Sequence, residues 1–157
     1  MEPLRVYPDT SVIGGCFDDE FAEDSLRLFK EAESGRIRFL ISEIVNRELK
    51  GAPFEVRQIL ESLPVDAVET IEGLEEVTLL RNSYIHYGLL RPSQIDDAAH
   101  IASATLARAD ALVSWNFRHI VRLDKIKMYN NINLMHGFGV ITILSPKEVV
   151  FDEPGEE

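Results

Sequence analysis

The feature of this 157-residue chain that most constrains its fold is the alternation of β-rich apolar segments with helix-like ones. The apolar segments are short and contain β-branched and aromatic residues, which favour extended structure. This alternation predicts an α/β fold, in which a mostly parallel central sheet lies between layers of helices. The expected strands are residues 4–7, 37–41, 67–71, 111–115 and 140–144.

The segments between the expected strands have the composition and spacing of helices. Helices are predicted over residues 19–34, 42–50, 55–62, 74–87 and 94–108, with Ser93 as the N-cap of the last, and a short helical segment near Arg118. One domain over residues 1–150 is expected, followed by an acidic and flexible tail, residues 151–157.

The net charge of −11 disfavours nonspecific attraction to nucleic acid, because phosphate contacts need Lys and Arg. It does not exclude nucleic acid as a substrate, since a metal-binding cluster of acids also adds negative charge. The acidity is equally explained by solubility alone. A single cysteine excludes an internal disulfide and predicts a cytoplasmic protein, and neither a membrane span nor a signal peptide is expected.

Acidic and amide side chains lie where two predicted strands end and where the Ala-rich helix begins. Asp9 follows the first strand, Asp96 and Asp97 open the Ala-rich helix, and Asn116 follows the strand at 111–115. Each has an ordinary structural explanation as a turn former or a helix-end acid. In parallel sheets, however, ligands bind beyond the carboxyl ends of the strands, so these positions are candidates for a site.

Glu48 is harder to explain as a surface residue. It lies four residues after Ile44 and three after Val45, so it shares their apolar face, whereas Glu43 faces Arg47 in an exposed ion-pair arrangement. A buried carboxylate is costly unless it is paired or binds a metal. The alternatives are that Glu48 reaches solvent or meets an arginine.

The Ala-rich helix gives a second indication of a site. Asp96 and Asp97 are about 100° apart around the helix, so only one of them is expected to face inward. His100 lies three residues after Asp97 on nearly the same face, where it is either a packed or supporting residue or a ligand. If Asp9, Glu48, Asp97 and Asn116 converge, their oxygen ligands favour Mg²⁺ or Mn²⁺ and point to phosphodiester or phosphate chemistry.

Four motifs together resemble the PIN domain family, and in particular the toxin ribonucleases of the VapC type. The order and spacing of the motifs agree from about residue 4 to residue 145. The motifs are a strand running into D-x-[SN] (residues 7–11), an E-L pair on a helix (48–49), D-A-x-x-I-A-x-A (97–104) and A-D-x-L-V-[ST] before an acid or amide (109–116). The run W-N-F-R-H-I resembles a subgroup in which W-N-x-[KR]-H replaces the more usual T-x-D.

The resemblance implies a three-layer α/β/α sandwich that carries a Mg²⁺- or Mn²⁺-dependent ribonuclease site. Asp9, Glu48 and Asp97 match the three acidic positions of the family, and Asn116 stands where many members have a fourth aspartate. The resemblance further implies the toxin of a type II toxin–antitoxin pair, with an RNA substrate, a small antitoxin partner and a homodimer.

The hypothesis gives each site residue a role. Asp9 and Asp97 hold a divalent ion, and Glu48 orients the water on that ion or acts as its base. Asn116 completes the shell of a second ion or binds a water on the metal, and Ser11 hydrogen-bonds to the acidic cluster and fixes it. His100 is placed with Ser11 as a supporting residue.

A basic segment follows Asn116 and is the candidate RNA contact. Residues 117–128 hold four Lys or Arg residues against one Asp, and Arg118, His119 and Arg122 are assigned to RNA binding. A solvated helix face is the alternative. Trp115 is either a core residue or a platform on which a base stacks.

Two other functions are considered beside the ribonuclease. Asn116 in place of an acid is also consistent with a weakened PIN domain that binds RNA or a protein without cutting. A phosphatase on a similar sheet needs Asp9 as nucleophile and an acid two residues later, and Ser11 at that position argues against it.

Overall fold

Five parallel strands form one sheet in the computed structural model of the protein, which describes residues 2–152. The order across the sheet is β3-β2-β1-β4-β5, and every neighbouring pair is parallel. The order therefore reverses at β1, which has β2 on one side and β4 on the other. The strands are β1 (Leu4–Pro8), β2 (Ile37–Ile41), β3 (Val68–Thr70), β4 (Ala111–Val113) and β5 (Ile143–Leu144).

Pro8 ends a central strand without breaking a ladder. The pairing of β1 with β2 stops at Val6 opposite Phe39, whereas the pairing with β4 continues to Pro8 opposite Val113. The amide of Asp9 donates to the carbonyl of Val113 at 3.1 Å, and since successive amides point to opposite neighbours, the nitrogen of Pro8 faces β2. Its missing donor therefore lies where that ladder has already ended.

Seven helices cover the two faces of the sheet in the described part of the chain. On one face Tyr7 of β1 contacts His100, and on the other Phe39 of β2 meets Phe29 with ring centroids 5.1 Å apart. The predicted PIN-like α/β/α arrangement is confirmed. The helices are α1 (Thr10–Gly15), α2 (Ala22–Glu33), α3 (Glu43–Lys50), α4 (Phe54–Glu61), α5 (Glu75–His86), α6 (Ile95–Leu106) and α7 (Leu123–Met135).

Helix α6 is the most deeply packed helix, and its small side chains explain why. Its residues from Ala98 to Thr105 are all buried, and four of these eight are alanines that let the helix approach its neighbours closely. It packs against α5 and β4. This close packing fixes the N-terminal end of α6, which carries Asp97, beside the ends of the strands.

Several expected boundaries were wrong. The first turn of the Ala-rich helix is a 3-10 turn over Pro92–Gln94, so Gln94 and not Ser93 precedes α6. The last strand is only Ile143–Leu144, and the segment near Arg118 is a turn rather than a helix. Predicted elements extended beyond the observed ones because apolar composition continues past the point where hydrogen bonding stops.

Two helices were not predicted at all. The six residues of α1, T-S-V-I-G-G, have weak helix propensity, and α1 forms because Asp9 caps it and because Val12 and Ile13 are fully buried. Helix α7 was missed because it has no clear apolar stripe. It is held instead by polar contacts, among them the hydrogen bond from the Tyr84 hydroxyl to Asn133 Oδ1.

Within residues 2–152, none of the helices is long and apolar enough to cross a membrane. Of the predicted tail, Phe151 lies under the guanidinium of Arg36, 5.1 Å from the ring centroid. Residues 153–157 lie outside the described residues.

Candidate active site

The candidate site lies where the carboxyl ends of β1 and β4 meet, at the point where the strand order reverses. Open parallel sheets bind their ligands at such a switch point, because the loops that follow the two strands diverge and leave a crevice. Asp9 directly follows β1, and Ser114 and Asn116 follow β4. Asp97 and Glu48 come to this edge from α6 and α3.

Asp9 is buried and is held by hydrogen bonds on both of its oxygens. Ser11 Oγ donates to Oδ1 and Ser114 Oγ donates to Oδ2, each at 2.5 Å, and the amide of Val12 donates to Oδ1 at 3.3 Å. Ser11 in turn accepts the amide of Trp115 at 3.0 Å, which links α1 to the loop after β4. The carboxylate is therefore fixed in place, and of its roughly four acceptor positions about one remains free.

Asp96 and Asp97 point in different directions, as the helical spacing predicts. Asp96 Oδ1 accepts a hydrogen bond from Arg47 Nη2 at 2.6 Å on the exposed side, so Arg47 does not pair with Glu43 as expected. Asp97 is half-buried, and the Asn116 side chain lies near enough to act on its pKa. Only Asp97 therefore belongs to the site.

Asn116 organises the loop after β4. Its Oδ1 accepts the backbone amides of Arg118 at 3.2 Å and of His119 at 2.9 Å. An amide oxygen has two lone pairs, and both are used here. The assignment of Asn116 as a metal ligand stays a prediction. In the observed arrangement its side-chain oxygen holds the turn that follows it.

Glu48 meets a histidine rather than an arginine, and its side chain stays 31% exposed to solvent. Its Oε1 lies 2.6 Å from Nε2 of His100 and 2.8 Å from Oγ1 of Thr10, which donates to it. On its other side, His100 Nδ1 is 2.7 Å from the hydroxyl of Tyr7, and that hydroxyl is 2.6 Å from Oγ of Ser42. A hydrogen-bonded chain thus runs from α3 through β1 and α6 and back to α3.

The environments of the three acids shift their pKa values in different directions. Burial raises the pKa of Asp9 and of Asp97, and the charge of Asp9 contributes to the rise at Asp97. Burial also acts to raise the pKa of Glu48, but the hydrogen bond and the charge of His100, with the hydrogen bond of Thr10, outweigh it and lower that pKa. Glu48 is therefore the acid that the protein itself keeps ionised.

The donor set at Asp9 and Asp97 suits a hard divalent cation. Two carboxylates in a shared, partly buried environment repel one another, and a cation removes that repulsion. The described residues contain no group of three His, Cys, Asp or Glu side chains placed to hold a metal. Mg²⁺ usually takes one or two protein carboxylates with water and substrate phosphate oxygens, and the residues present fit that mode.

The residues assigned to RNA binding lie beside the site and on a common cavity. Arg118, His119 and Arg122 line a cavity of about 360 Å³ together with residues from the segment before α6. Trp115 does not offer a face to a base: it is buried, it stacks on Phe21 at 4.3 Å, and its indole donates to Ser25 at 2.9 Å. The proposed stacking role of Trp115 is therefore wrong.

Sequence reasoning missed three polar residues of the site: Tyr7, Thr10 and Ser114. Ser114 occupies the [ST] position of the last motif, at the end of a strand, and that position was a usable signal. Thr10 directly follows Asp9. Tyr7 looked like an ordinary strand residue, and only the packing of α6 on β1 brings its hydroxyl to His100.

Comparison with solved structures identifies the fold. VapBC2 from Rickettsia felis, whose structure is described as bound to a DNA fragment from their promoter, has a TM-score of 0.58 and 15% identity over 90% of this chain and 98% of that chain. VapBC-1 from nontypeable Haemophilus influenzae has a TM-score of 0.56 and 17% identity over 92% and 100%. FitAcB from Neisseria gonorrhoeae has a TM-score of 0.57 and 12% identity over 92% and 99%.

At the level of sequence, no family model and no curated protein matches the chain. Identities this low establish a common fold and leave activity, ligands and partners to be argued from the site. The resemblance seen in the four sequence motifs is confirmed at that level: the chain has the PIN-like fold of these VapBC and FitAcB structures.

Proposed function

We propose that this protein is a divalent-metal-dependent endoribonuclease that hydrolyses RNA phosphodiesters. The observation that carries the proposal is the meeting of Asp9 and Asp97 at the switch point of the sheet, where burial raises the pKa of both carboxyls. Two partly buried carboxylates without a cationic partner lower the stability of a protein unless a cation binds between them. The PIN-like fold and the basic residues beside the pair support a phosphodiester substrate.

The residues of the site have three different roles in the proposed reaction. Asp9 and Asp97 would hold Mg²⁺ or Mn²⁺, which when bound would neutralise phosphate charge and lower the pKa of water. Glu48, kept ionised by His100, orients the attacking water or takes its proton. Ser11 and Ser114 fix the position of Asp9.

We further infer that the protein acts as the toxin of a type II toxin–antitoxin pair. The support is that the three solved structures compared above carry the names VapBC or FitAcB, and one of them is bound to promoter DNA. A small antitoxin, a homodimer and a cytoplasmic location belong to this proposal.

The direct test compares two adjacent carboxylates on α6. With Mn²⁺ and single-stranded RNA, Asp97→Asn is expected to lower the cleavage rate at least about 100-fold, because it removes several kcal/mol of charge stabilisation. The matched control is Asp96→Asn, which changes an exposed acid bonded to Arg47 and should leave the rate within about threefold. Equal activity of wild type and Asp97→Asn would refute the proposal.

A second candidate is a PIN-like module that binds RNA or protein without cutting. The observation that favours it is Asn116, which replaces an acid and whose Oδ1 is used by two backbone amides. Isothermal titration of the wild type with Mn²⁺ separates the two functions. RNA binding without any heat of metal binding, in a folded protein, would favour the module.

A further inference from the structure

A basic cavity lies beside the candidate active site, between the segment before α6 and the start of α7. Its volume is about 360 Å³, close to that of a small ligand site. No Asp or Glu side chain lines it, although the chain as a whole carries a net charge of −11. The side chains that give it its character are Arg91, Gln94, Arg118, His119, Arg122 and Lys125.

The positive charge of this basic cavity is only partly neutralised. Arg122 pairs with the exposed Asp124, and Lys125 donates to the carbonyl of Leu89 at 2.5 Å. Arg91 and Arg118 are exposed and form no ion pair with any residue in the range 2–152. Two arginines without a counter-ion on one concave surface attract an anion, and their planar donor groups match a phosphate in particular.

The backbone that carries these two arginines is held in place. On one side the amide of Gln94 donates to the carbonyl of Arg91 at 2.8 Å within the 3-10 turn. On the other side the Arg118 amide donates to Asn116, and the carbonyl of His119 accepts the hydroxyl of Tyr129 at 2.7 Å. Nε2 of Gln94 and Nε2 of His119 are 3.1 Å apart across the cavity. Little ordering of the backbone is therefore required when an anion binds.

The basic cavity adjoins the acidic cluster. Asn116 follows β4, and its Oδ1 accepts the amides of Arg118 and His119, which line the cavity. On the other wall, Gln94 lies three residues before Asp97, which is in the first turn of α6. A strand whose scissile phosphate lies at Asp9 and Asp97 would therefore pass the basic cavity with a neighbouring phosphate.

We propose that the basic cavity is a phosphate-binding subsite, which holds a backbone phosphate of the RNA strand other than the one that is cleaved. This subsite rests on the proposed ribonuclease function for its substrate, but its binding does not require cleavage. Arg91 and Arg118 are its main contacts, and Gln94 and His119 join its two walls. The subsite would fix where along the strand the cut falls.

The test measures binding of a fluorescein-labelled single-stranded oligoribonucleotide of twelve nucleotides to the full chain in EDTA, by fluorescence anisotropy at several salt concentrations. The double variant Arg91→Gln, Arg118→Gln should weaken binding about tenfold near 0.1 M salt. It should also reduce the slope of log K against log salt by about 0.7, the value for one phosphate contact on a single strand.

The matched control removes the same two charges away from the cavity. Lys30 and Lys147 are exposed and do not line it, so Lys30→Gln, Lys147→Gln should weaken binding less than threefold and leave the slope unchanged. If the two double variants bind RNA equally, the subsite does not exist. Circular dichroism and thermal melting of both variants establish that each is folded.

Further arms identify the anion. The arginine double variant should lose the same affinity for strands with and without a 5′-phosphate, since the proposal concerns an internal phosphate. A loss of affinity confined to the phosphorylated strand would overturn the proposal. A glutamate-rich peptide should not compete with RNA for binding to the wild type. If the peptide competes for the wild type but not for the arginine variant, the cavity would be assigned to an acidic protein partner instead. Absence of metal-dependent cleavage would refute the nuclease proposal alone, because this binding assay contains no metal.

Discussion

The candidate site contains two carboxylate arrangements that solve the problem of burial in opposite ways. Glu48 is stabilised from within the protein by hydrogen bonds with His100 at 2.6 Å and Thr10 at 2.8 Å, and its pKa is lowered. Asp9 receives hydrogen bonds from neutral groups, and burial raises the pKa values of both Asp9 and Asp97 against the lowering effect of nearby His100. The first arrangement is complete without a ligand, whereas the second would be completed by the cation of the proposed function.

This difference separates an acid whose partners lie within the protein from two acids whose proposed partner is a metal ion. The chain from Glu48 through His100 to Tyr7 connects three elements that meet at the edge of the sheet. Its loss should reduce the stability of the protein. The Asp9–Asp97 pair costs stability in the absence of metal, a cost that is typical of functional sites. The two arrangements can therefore be told apart by measurements of stability with and without metal.

The largest effect expected from this comparison is stabilisation by metal. At Mn²⁺ about 1,000-fold above its dissociation constant, the free energy of unfolding of the wild type should rise by about 4 kcal/mol. For a chain of this length, that corresponds to a melting temperature roughly 10 °C higher. Asp97→Asn should lose most of this rise, and Glu48→Gln should keep it. Differential scanning calorimetry at fixed protein concentration measures all three.

The control for this experiment is again Asp96→Asn, whose response to Mn²⁺ should equal that of the wild type. An equal loss of the rise in Glu48→Gln and Asp97→Asn would show that Glu48 is a metal ligand. The division of the site into two arrangements would then be incorrect.

The next largest effect is loss of the internal chain. His100→Ala should lower the free energy of unfolding by about 3 kcal/mol, because it leaves a cavity and removes the partner of both Tyr7 and Glu48. Urea denaturation in EDTA measures the change. The stabilisation by Mn²⁺ should persist in this variant.

A double-mutant cycle with Glu48→Gln tests whether the loss arises from the chain. The two changes should be non-additive by about 1 kcal/mol or more, because the residues are in direct contact. Additivity within about 0.5 kcal/mol would mean that His100 stabilises the protein only by filling space in the core.

Much of the fold could be predicted from the sequence, and the reason is visible in particular segments. The strands β1 and β2 and the Ala-rich helix have strong local patterns that agree with their place in the structure. Helix α7 has no such pattern, since only three of its residues are buried and one of them is Asn133. Contacts distant in sequence determine it, and a local pattern cannot show them.

The site was predictable in a similar measure. The placement of Asp9, Asp97 and Asn116 follows from strand ends and helix spacing, which are local properties. The partners of Glu48 do not, because His100 lies 52 residues away and Thr10 lies 38 residues away. Asp9 also showed that two readings of one residue are compatible: it caps α1 through the amide of Val12 and belongs to the site as well.

The smallest expected effect is on the pH dependence of the metal-free protein. The pKa of Asp97 is raised on folding, so the folded state favours the protonated carboxyl. The wild type should therefore lose stability relative to Asp97→Asn as the pH rises from below the unfolded pKa of about 3.9 through the raised pKa. Because Asp97 is only half-buried, the variant should exceed the wild type by at most about 1 kcal/mol at pH 7.

Glu48 should show the opposite dependence, which makes it the internal control for this measurement. Its pKa is lowered, so its contribution to stability is present above the unfolded value and is lost as the pH falls through the folded one. Glu48→Gln should therefore be less stable than the wild type at pH 7 and approach it in acid. Urea titrations of the three proteins in EDTA between pH 3 and pH 8 give both curves. If the stability of both variants changed with pH in the same way, the two acids would have the same environment. There would then be no reason to expect that Asp97, unlike Glu48, needs a cation.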